Sequence, residues 1–361
     1  MLLGLGNDFL LFVRLAVLVS ILLIITGFVV TSMSVVIMFI FSSSVFHLYV
    51  KLRRQRYKNQ SIFYIFALDL KIITVMKIPA SELPLQNDGA IYHLNLHAED
   101  LADNIILVGD PGRVPMISAL FDSVELKKQN RELITHTGRY KGKRVSVIST
   151  GMGTDNIDIV MTELDAVANI DLQAREIKKE HRTLNVVRIG TSGALQSDIE
   201  CGSFVASEHG FGIDGVLQFY DYKNLNEDGL VEAFVQHTGW NDKLPYPYCT
   251  PASEDLLQRI GHDMIHGVTI SAPGFFGPQG RQVRAQLMYP ELNRKIESFN
   301  HNGLTVTNME MECSAIYGLC NVLGHKPLTV CLIIANRVTG KFLDDYHGLM
   351  QELCKTVLDR F

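Results

Sequence analysis

The feature that most constrains this chain is the stretch Asn185-Val-Val-Arg-Ile-Gly-Thr-Ser-Gly-Ala194. It opens as an apolar, β-branched run of the kind that forms a buried strand. It closes on Gly190 and Gly193, which bracket the hydroxyls of Thr191 and Ser192. Arg188 stands inside the apolar part, where an unpaired guanidinium is costly to bury. Such an arginine is neutralised by a carboxylate, or it meets an anionic ligand. A strand that ends in small residues and hydroxyls, with an arginine along it, is suited to holding an oxyanion.

Strand, glycine turn and helix recur through residues 76–361. Apolar runs at 104–108, 144–150, 186–189, 203–206, 267–272, 304–307 and 328–335 read as strands. Helices are expected at 115–121, with Pro115 in the first turn, and after a cap at Asp155 or Asn156. Others are expected at 254–265, 310–323 and 347–358. Residues 91–96 alternate and read as a short edge strand. Residues 220–251, rich in Asn, Asp, Tyr and Pro, read as an insertion or long loop. The pattern predicts an α/β fold, a single three-layer domain with a mixed, largely parallel central sheet. Ligands of such folds bind at the carboxyl ends of strands. Gly109, Gly151, Gly190, Phe275, Asn308 and Asn336 all fall there, which indicates one site.

Residues 1–75 differ from this body. There is no acidic residue from Phe9 to Leu68, and residues 9–50 carry only Arg14 and His47 as basic groups. That length suffices for one long span or two short ones, a span needing ~20 apolar residues. Lys51, Arg53, Arg54, Arg56 and Lys58 follow, which would set that end on the cytoplasmic side. A cleaved signal peptide fits less well, because the apolar run is too long and no A-x-A site closes it. Two readings remain: a membrane anchor, or upstream sequence translated from a start assigned too early, with Met76 opening the working domain. Under both, the domain at 76–361 is expected to face the cytoplasm.

A net charge of -5 over 361 residues gives no reason to expect a nucleic-acid partner. The six cysteines show no CxxC spacing, so neither a zinc site nor a disulfide framework is expected.

Three constellations carry chemistry. In Gly109-Asp-Pro-Gly-Arg113 a glycine at a strand end is free to bring backbone N–H groups to an anion, with Arg113 a turn later. The bland alternative is a tight turn with a solvated arginine. Pro111 breaks the dinucleotide fingerprint, and no Walker motif is present. Converging arginines, hydroxyls and glycine amides therefore suit free phosphate as a substrate. Asn308-Met-Glu-Met-Glu-Cys313 sets Glu310 and Glu312 at a strand-to-helix junction. They either compensate a helix dipole or grip sugar hydroxyls beside an oxocarbenium-like charge. Two residues apart on a helix, they are expected to reach in different directions. Gln279 and Arg281, on a loop with Phe275 and Phe276, either read a planar ring or are simply solvated.

Taken together, these motifs resemble the nucleoside phosphorylase family, the group of hexameric purine and uridine phosphorylases. The resemblance runs from about Tyr92 to the C-terminus and includes none of the first 75 residues. It implies phosphorolysis of a nucleoside to ribose 1-phosphate and free base, with inorganic phosphate as co-substrate and no organic cofactor or redox metal. By that similarity Gly109, Arg113, Arg188 and Thr191 form the phosphate cradle, and Arg131 is lent to the phosphate site of a neighbouring copy. His93 is lent the same way to the ribose 5′-hydroxyl, and Met311 and Glu312 bind the ribose. Gln279 and Arg281 read the base, Phe275 packs on it and Arg337 supports the pocket. A homodimer is thus the minimal active unit implied, with a hexamer open. Asn336 stands where purine-specific relatives carry an aspartate, which favours a pyrimidine, uridine above all. Gly277-Pro278 inverts the family's Pro-Gly order. Thr154-Asp155-Asn156 departs from the pattern that supports a potassium site at a dimer interface, so that ion is left open. The rival readings are a purine phosphorylase, a nucleosidase that uses water, and a membrane-tethered nucleoside-binding protein without catalysis.

Overall fold

The centre of the sheet is built from runs in which neighbouring residues are all apolar. In β1 (Asn104–Val108), Ile105 and Leu107 join one hydrophobic cluster while Ile106 and Val108 join another. A strand covered on both faces has no polar side, which is why the run is continuous rather than alternating. The computed structural model describes residues 77–222 and 229–361. The apolar leader, with its anchor and early-start readings, lies outside the described residues. Among the described residues no helix is long and apolar enough to cross a membrane.

After β1 come α1 (Arg113–Ser118), β2 (Ser123–Asn130), β3 (Leu133–Tyr140), β4 (Lys143–Ser149) and α2 (Thr154–Asn169). A small hairpin of β5 (Ile170–Asp171) and β6 (Glu176–Ile177) leads to β7 (Asn185–Ala194) and β8 (Phe204–Gly212). Then follow α3 (Leu230–Thr238), β9 (Tyr248–Pro251), α4 (Glu254–Ile260) and β10 (Ile265–Ser271). The chain finishes with α5 (Leu292–Glu297), β11 (Asn300–His301), β12 (Leu304–Glu310), α6 (Cys313–Leu323), β13 (Lys326–Asn336), β14 (Lys341–Phe342) and α7 (His347–Arg360).

The strands form a mixed sheet in the order β11-β12-β10-β8-β13-β7-β1-β4-β3-β2, with β9 on β8 and β14 on β13. Its middle, β13-β7-β1-β4, is parallel. β12 also pairs antiparallel with β7, Asn308 opposite Ala194 and Met309 opposite Gly193, so that part of the sheet closes on itself. The carboxyl ends of β7 and β12 are thereby brought together. On one face α2 and α6 supply Leu164, Val167, Ile316 and Leu319 to the core. On the other, α1, α4 and α7 supply Ile117, Leu256, Leu353 and Val357. The result is the expected α/β arrangement of three layers.

Several elements depart from expectation. Residues 91–96 are not a strand: only Ile91 bridges, to Leu85, and Asn95 turns the chain at φ 55. The buried Ile91, Leu94 and Leu96 come from that turn rather than from a pleat. The helix after Gly151 begins at Thr154 with Gly153 at its cap, ahead of Asp155 and Asn156. The stretch 220–251 holds α3 and β9 and is not wholly loop. The β2–β3 hairpin was not foreseen, because β2 is a largely polar edge strand without an apolar run. The helix at 310–323 starts only at Cys313, because β12 continues to Glu310.

The hairpin depends on Gly138. A Cβ there would lie 2.2 Å from the Ser123 carbonyl oxygen and 2.6 Å from the Phe121 ring. Gly138→Ala is therefore expected to lower the unfolding free energy by about 1–3 kcal/mol. Denaturant titration reads this as a lower midpoint at similar slope; an unmoved midpoint would contradict the packing.

Candidate active site

The carboxyl ends of β1, β7, β12 and β13 surround a cavity of about 700 Å³. Its walls carry Gly109 and Arg113 from the β1 end, and Arg188, Thr191, Ser192 and Gly193 from β7. Met309 to Glu312 line it from the β12 end, and Phe275, Gln279 and Arg281 from the loop after β10.

At the floor Arg188 is 5% exposed. Its Nη2 donates to Glu312 Oε2 in a very short contact, and its Nη1 lies 3.1 Å from Glu310 Oε2. Of the two partners open to a buried arginine, the carboxylate is the one observed. The strand continues past Ile189 because Gly190 leaves room for this. A Cβ at Gly190 would lie 2.1 Å from Arg188 Nη1, so the guanidinium folds back over residue 190. Glu310 accepts hydrogen bonds from Ser271 Oγ at 2.5 Å, from the Glu312 N–H at 2.8 Å and from the Cys313 N–H at 3.0 Å. Glu312 Oε1 accepts one from the Gly153 N–H at 2.8 Å.

The two carboxylates thus reach one guanidinium, which corrects the expectation that they point apart. Glu310 ends β12 and Glu312 precedes α6. The helix starts only at Cys313, and the bend between the two elements, with Glu312 at φ -140 and ψ -26, lets both side chains reach Arg188. Burial pushes the Glu310 carboxyl up from its usual range against the pull of Arg188, and Glu312 adds to the rise. Burial also opposes the Arg188 charge, but Glu312 and Glu310 outweigh it and raise the guanidinium's pKa.

At the other end of the cavity Arg281 Nη1 donates to Gln279 Oε1 at 2.5 Å and to the Phe275 carbonyl at 2.6 Å. The guanidinium sits 3.8 Å from the centre of the Phe275 ring. Gln279 is buried and its carbonyl is held by Asn293 at 2.8 Å. Burial, with Arg337 nearby, lowers the Arg281 pKa to about 10.

Four sequence-derived candidates stand outside this wall. Arg337 packs behind Gly193, where an added Cβ would lie 3.3 Å from Arg337 Cγ, and its Nη1 is buried without a partner. Asn336 is wholly structural: its Nδ2 donates to the Gln196 and Ile199 carbonyls, and its Oδ1 accepts from the Val338 and Thr339 N–H groups. Arg131 sits in the β2–β3 turn at φ 55. His93 lies on the loop before β1, its Nδ1 2.6 Å from Glu163 Oε1. Sequence reasoning missed Glu132, Met152, Asn156 and Phe342, which also line the cavity. Glu132 had a signal in its neighbour Arg131, whereas Phe342 had none.

A family model described as the phosphorylase superfamily matches residues 103–360. The chain belongs to the phosphorylase superfamily. The resemblance drawn from the motifs is borne out, and with it the enzyme class, a pentosyltransferase. This phosphorylase is 31% identical to a uridine phosphorylase of Thermococcus kodakarensis over 274 residues, 74% of this chain and 85% of that one. It is 27% identical to a DeoD-type purine nucleoside phosphorylase of Oceanobacillus iheyensis, over 69% of this chain and 88% of that one. Among solved structures, a nucleoside phosphorylase of Trypanosoma brucei, described as showing uridine phosphorylase activity, superposes with a TM-score of 0.70 at 30% identity. That match covers 77% of this chain and 98% of the other.

The packing of Arg188 over Gly190 gives a test of the floor. Gly190→Ala would displace the guanidinium and leave buried carboxylates unpaired, an effect of about 3–5 kcal/mol. Gly193→Ala meets only the flexible Arg337 stem and is expected to cost far less. Equal losses in thermal unfolding would remove Arg188 as the cause.

Proposed function

We propose that this phosphorylase cleaves uridine with inorganic phosphate, giving ribose 1-phosphate and uracil. The observation that carries the choice of base is the pair of side chains bearing N–H groups on the cavity wall beside Phe275. Gln279 and Arg281 offer N–H groups, and Arg337 adds a second guanidinium behind them. Uracil leaves as an anion whose carbonyl oxygens accept hydrogen bonds, and fixed donors stabilise that charge as it develops. A purine leaves more readily when an acid protonates its imidazole ring. Asn336 cannot supply a proton, and its amide is already committed to four backbone groups.

In this reading phosphate is bound by the backbone at Gly109, by Arg113, Arg188 and Thr191, and by Arg131 of a second copy. Met311 and Glu312 hold the ribose, Glu312 through its vicinal hydroxyls. Phenylalanine 275 packs against the base. A phosphate oxygen forms the bond to C1′ as the bond to N1 breaks. The electron pair passes to the base, and the phosphate charge stabilises the oxocarbenium-like sugar. No organic cofactor or redox metal enters this scheme.

Charge supports the need for a second copy. The cavity wall carries four carboxylates, Asp110, Glu132, Glu310 and Glu312, against three guanidiniums, Arg113, Arg188 and Arg281. A dianion entering such a wall calls for further positive charge. Arg131, which the resemblance implies is lent by a second copy, is the candidate for that charge, and the homodimer is then the smallest unit that supplies it. Six free cysteines, five of them buried, suit a reducing compartment, which fits a cytoplasmic enzyme.

The deciding assay follows base release from uridine, thymidine, inosine and adenosine with and without phosphate. Uracil release from uridine that requires phosphate is expected; inosine reacting while uridine is inert would overturn the pyrimidine reading, and release without phosphate would indicate hydrolysis. Sharing of sites has its own test. Arg131→Ala and Glu312→Ala subunits, each expected to lose about 100-fold or more in kcat, should regain activity when unfolded and refolded together. Mixed dimers then contain one intact site, and no recovery in a verified mixed oligomer would refute lending by Arg131.

A further inference from the structure

We propose that Glu163 is a positioning residue for His93, fixing the ring tautomer so that Nε2 is offered as a hydrogen-bond acceptor to the nucleoside 5′-hydroxyl in a second copy's site. This rests on the phosphorolysis proposed above and on the family resemblance, which implies that His93 serves a neighbouring ribose.

Glu163 lies in α2 between core residues and is 7% exposed, an expensive place for a carboxylate without a purpose. Both of its oxygens face donors on one short loop. They lie 3.0 Å from the His93 N–H, and Oε2 also accepts from the Leu94 N–H at 2.8 Å. The third contact is His93 Nδ1, 2.6 Å from Oε1. A carboxylate engaged this way only accepts, so the ring hydrogen belongs on Nδ1. With that hydrogen on Nδ1, a ring carrying one hydrogen has its lone pair at Nε2, the atom that makes no hydrogen bond among the described residues. The ring is 25% exposed, enough to be reached from outside. Setting one imidazole nitrogen by a carboxylate on the other is a general way to decide which chemistry the free nitrogen performs.

The same loop is tied to the strand hairpin that carries Arg131. Asn130 Nδ2 donates to the His93 carbonyl at 2.9 Å and to the Tyr92 carbonyl at 3.1 Å. The two residues that have no place in their own cavity wall are therefore held side by side. Glu163 from beneath and Asn130 from the flank fix where His93 points.

A purely structural Glu163 would only satisfy backbone donors, and substrate selectivity separates the two roles. Glu163→Gln keeps the size and one acceptor, but its amide offers a hydrogen to Nδ1 and drives the ring hydrogen to Nε2. The preference for uridine over 5′-deoxyuridine in kcat/KM is expected to fall roughly tenfold in Glu163→Gln, mostly through KM. A comparable fall is expected in His93→Ala, and the double variant should lose no more than His93→Ala alone. Equal losses on both substrates, or losses that add, would overturn the proposal. A second measurement needs no turnover. Long-range 1H–15N spectra of the wild-type protein should place the His93 hydrogen on Nδ1, and an Nε2–H tautomer there refutes the proposal whatever the variants do. Absence of phosphate-dependent uracil release by the wild type would instead refute the uridine reading, so the two failures are distinguishable.

Discussion

The site depends on one buried ion cluster, Arg188 between Glu310 and Glu312. Two ionised carboxylates against one guanidinium would leave an excess negative charge where an isolated ion would be prohibitive, and burial accordingly pushes Glu310 up toward its neutral form. The fold offsets it with aligned backbone. Helix α2 begins beside Glu312, to which the Gly153 N–H donates, and α6 begins beside Glu310, to which the Cys313 N–H donates. Both helix N-termini, each with its partial positive charge, are thus aimed at the acids. The closure of β12 onto β7 is what lets residues so far apart in sequence meet there.

The cluster also divides the cavity chemically. Its floor is crowded with carboxylates, while the Gln279–Arg281 end carries an amide and a guanidinium beside the Phe275 ring. The Arg281 guanidinium, stacked on Phe275 and bonded to Gln279 Oε1, turns the glutamine so that its amide nitrogen is directed by a fixed neighbour. Asn336 marks the boundary of what this pocket offers. In sequence it stands where purine-specific relatives carry an aspartate, and in the structure its amide oxygen caps the turn after β13.

How much of this was legible in the sequence follows from which forces were local. The doubly covered strands announce themselves because burial on both faces demands continuous apolar runs, and the anomaly of Arg188 inside one was visible before any partner was known. The reach of Glu310 and Glu312 toward a single guanidinium was not visible, because it depends on β12 staying extended through Glu310. The β2–β3 hairpin was invisible for the opposite reason. Its outer strand is polar, and what specifies it is the absence of a side chain at Gly138 beneath a carbonyl. Phe342 reaches the cavity only through the short β14 pairing with β13, a contact with no sequence signature of its own.

The least legible part is an assembly that lies outside the cavity wall. A buried carboxylate on α2, an asparagine in the hairpin and a histidine before β1 form a rigid assembly outside the cavity they would serve. Within the chain, Glu163 satisfies the His93 and Leu94 N–H groups, and Asn130 ties that loop to the β2–β3 hairpin. If His93 meets a ligand held by another copy, as proposed, its ring is already ordered before binding, and the entropy of ordering it then is avoided.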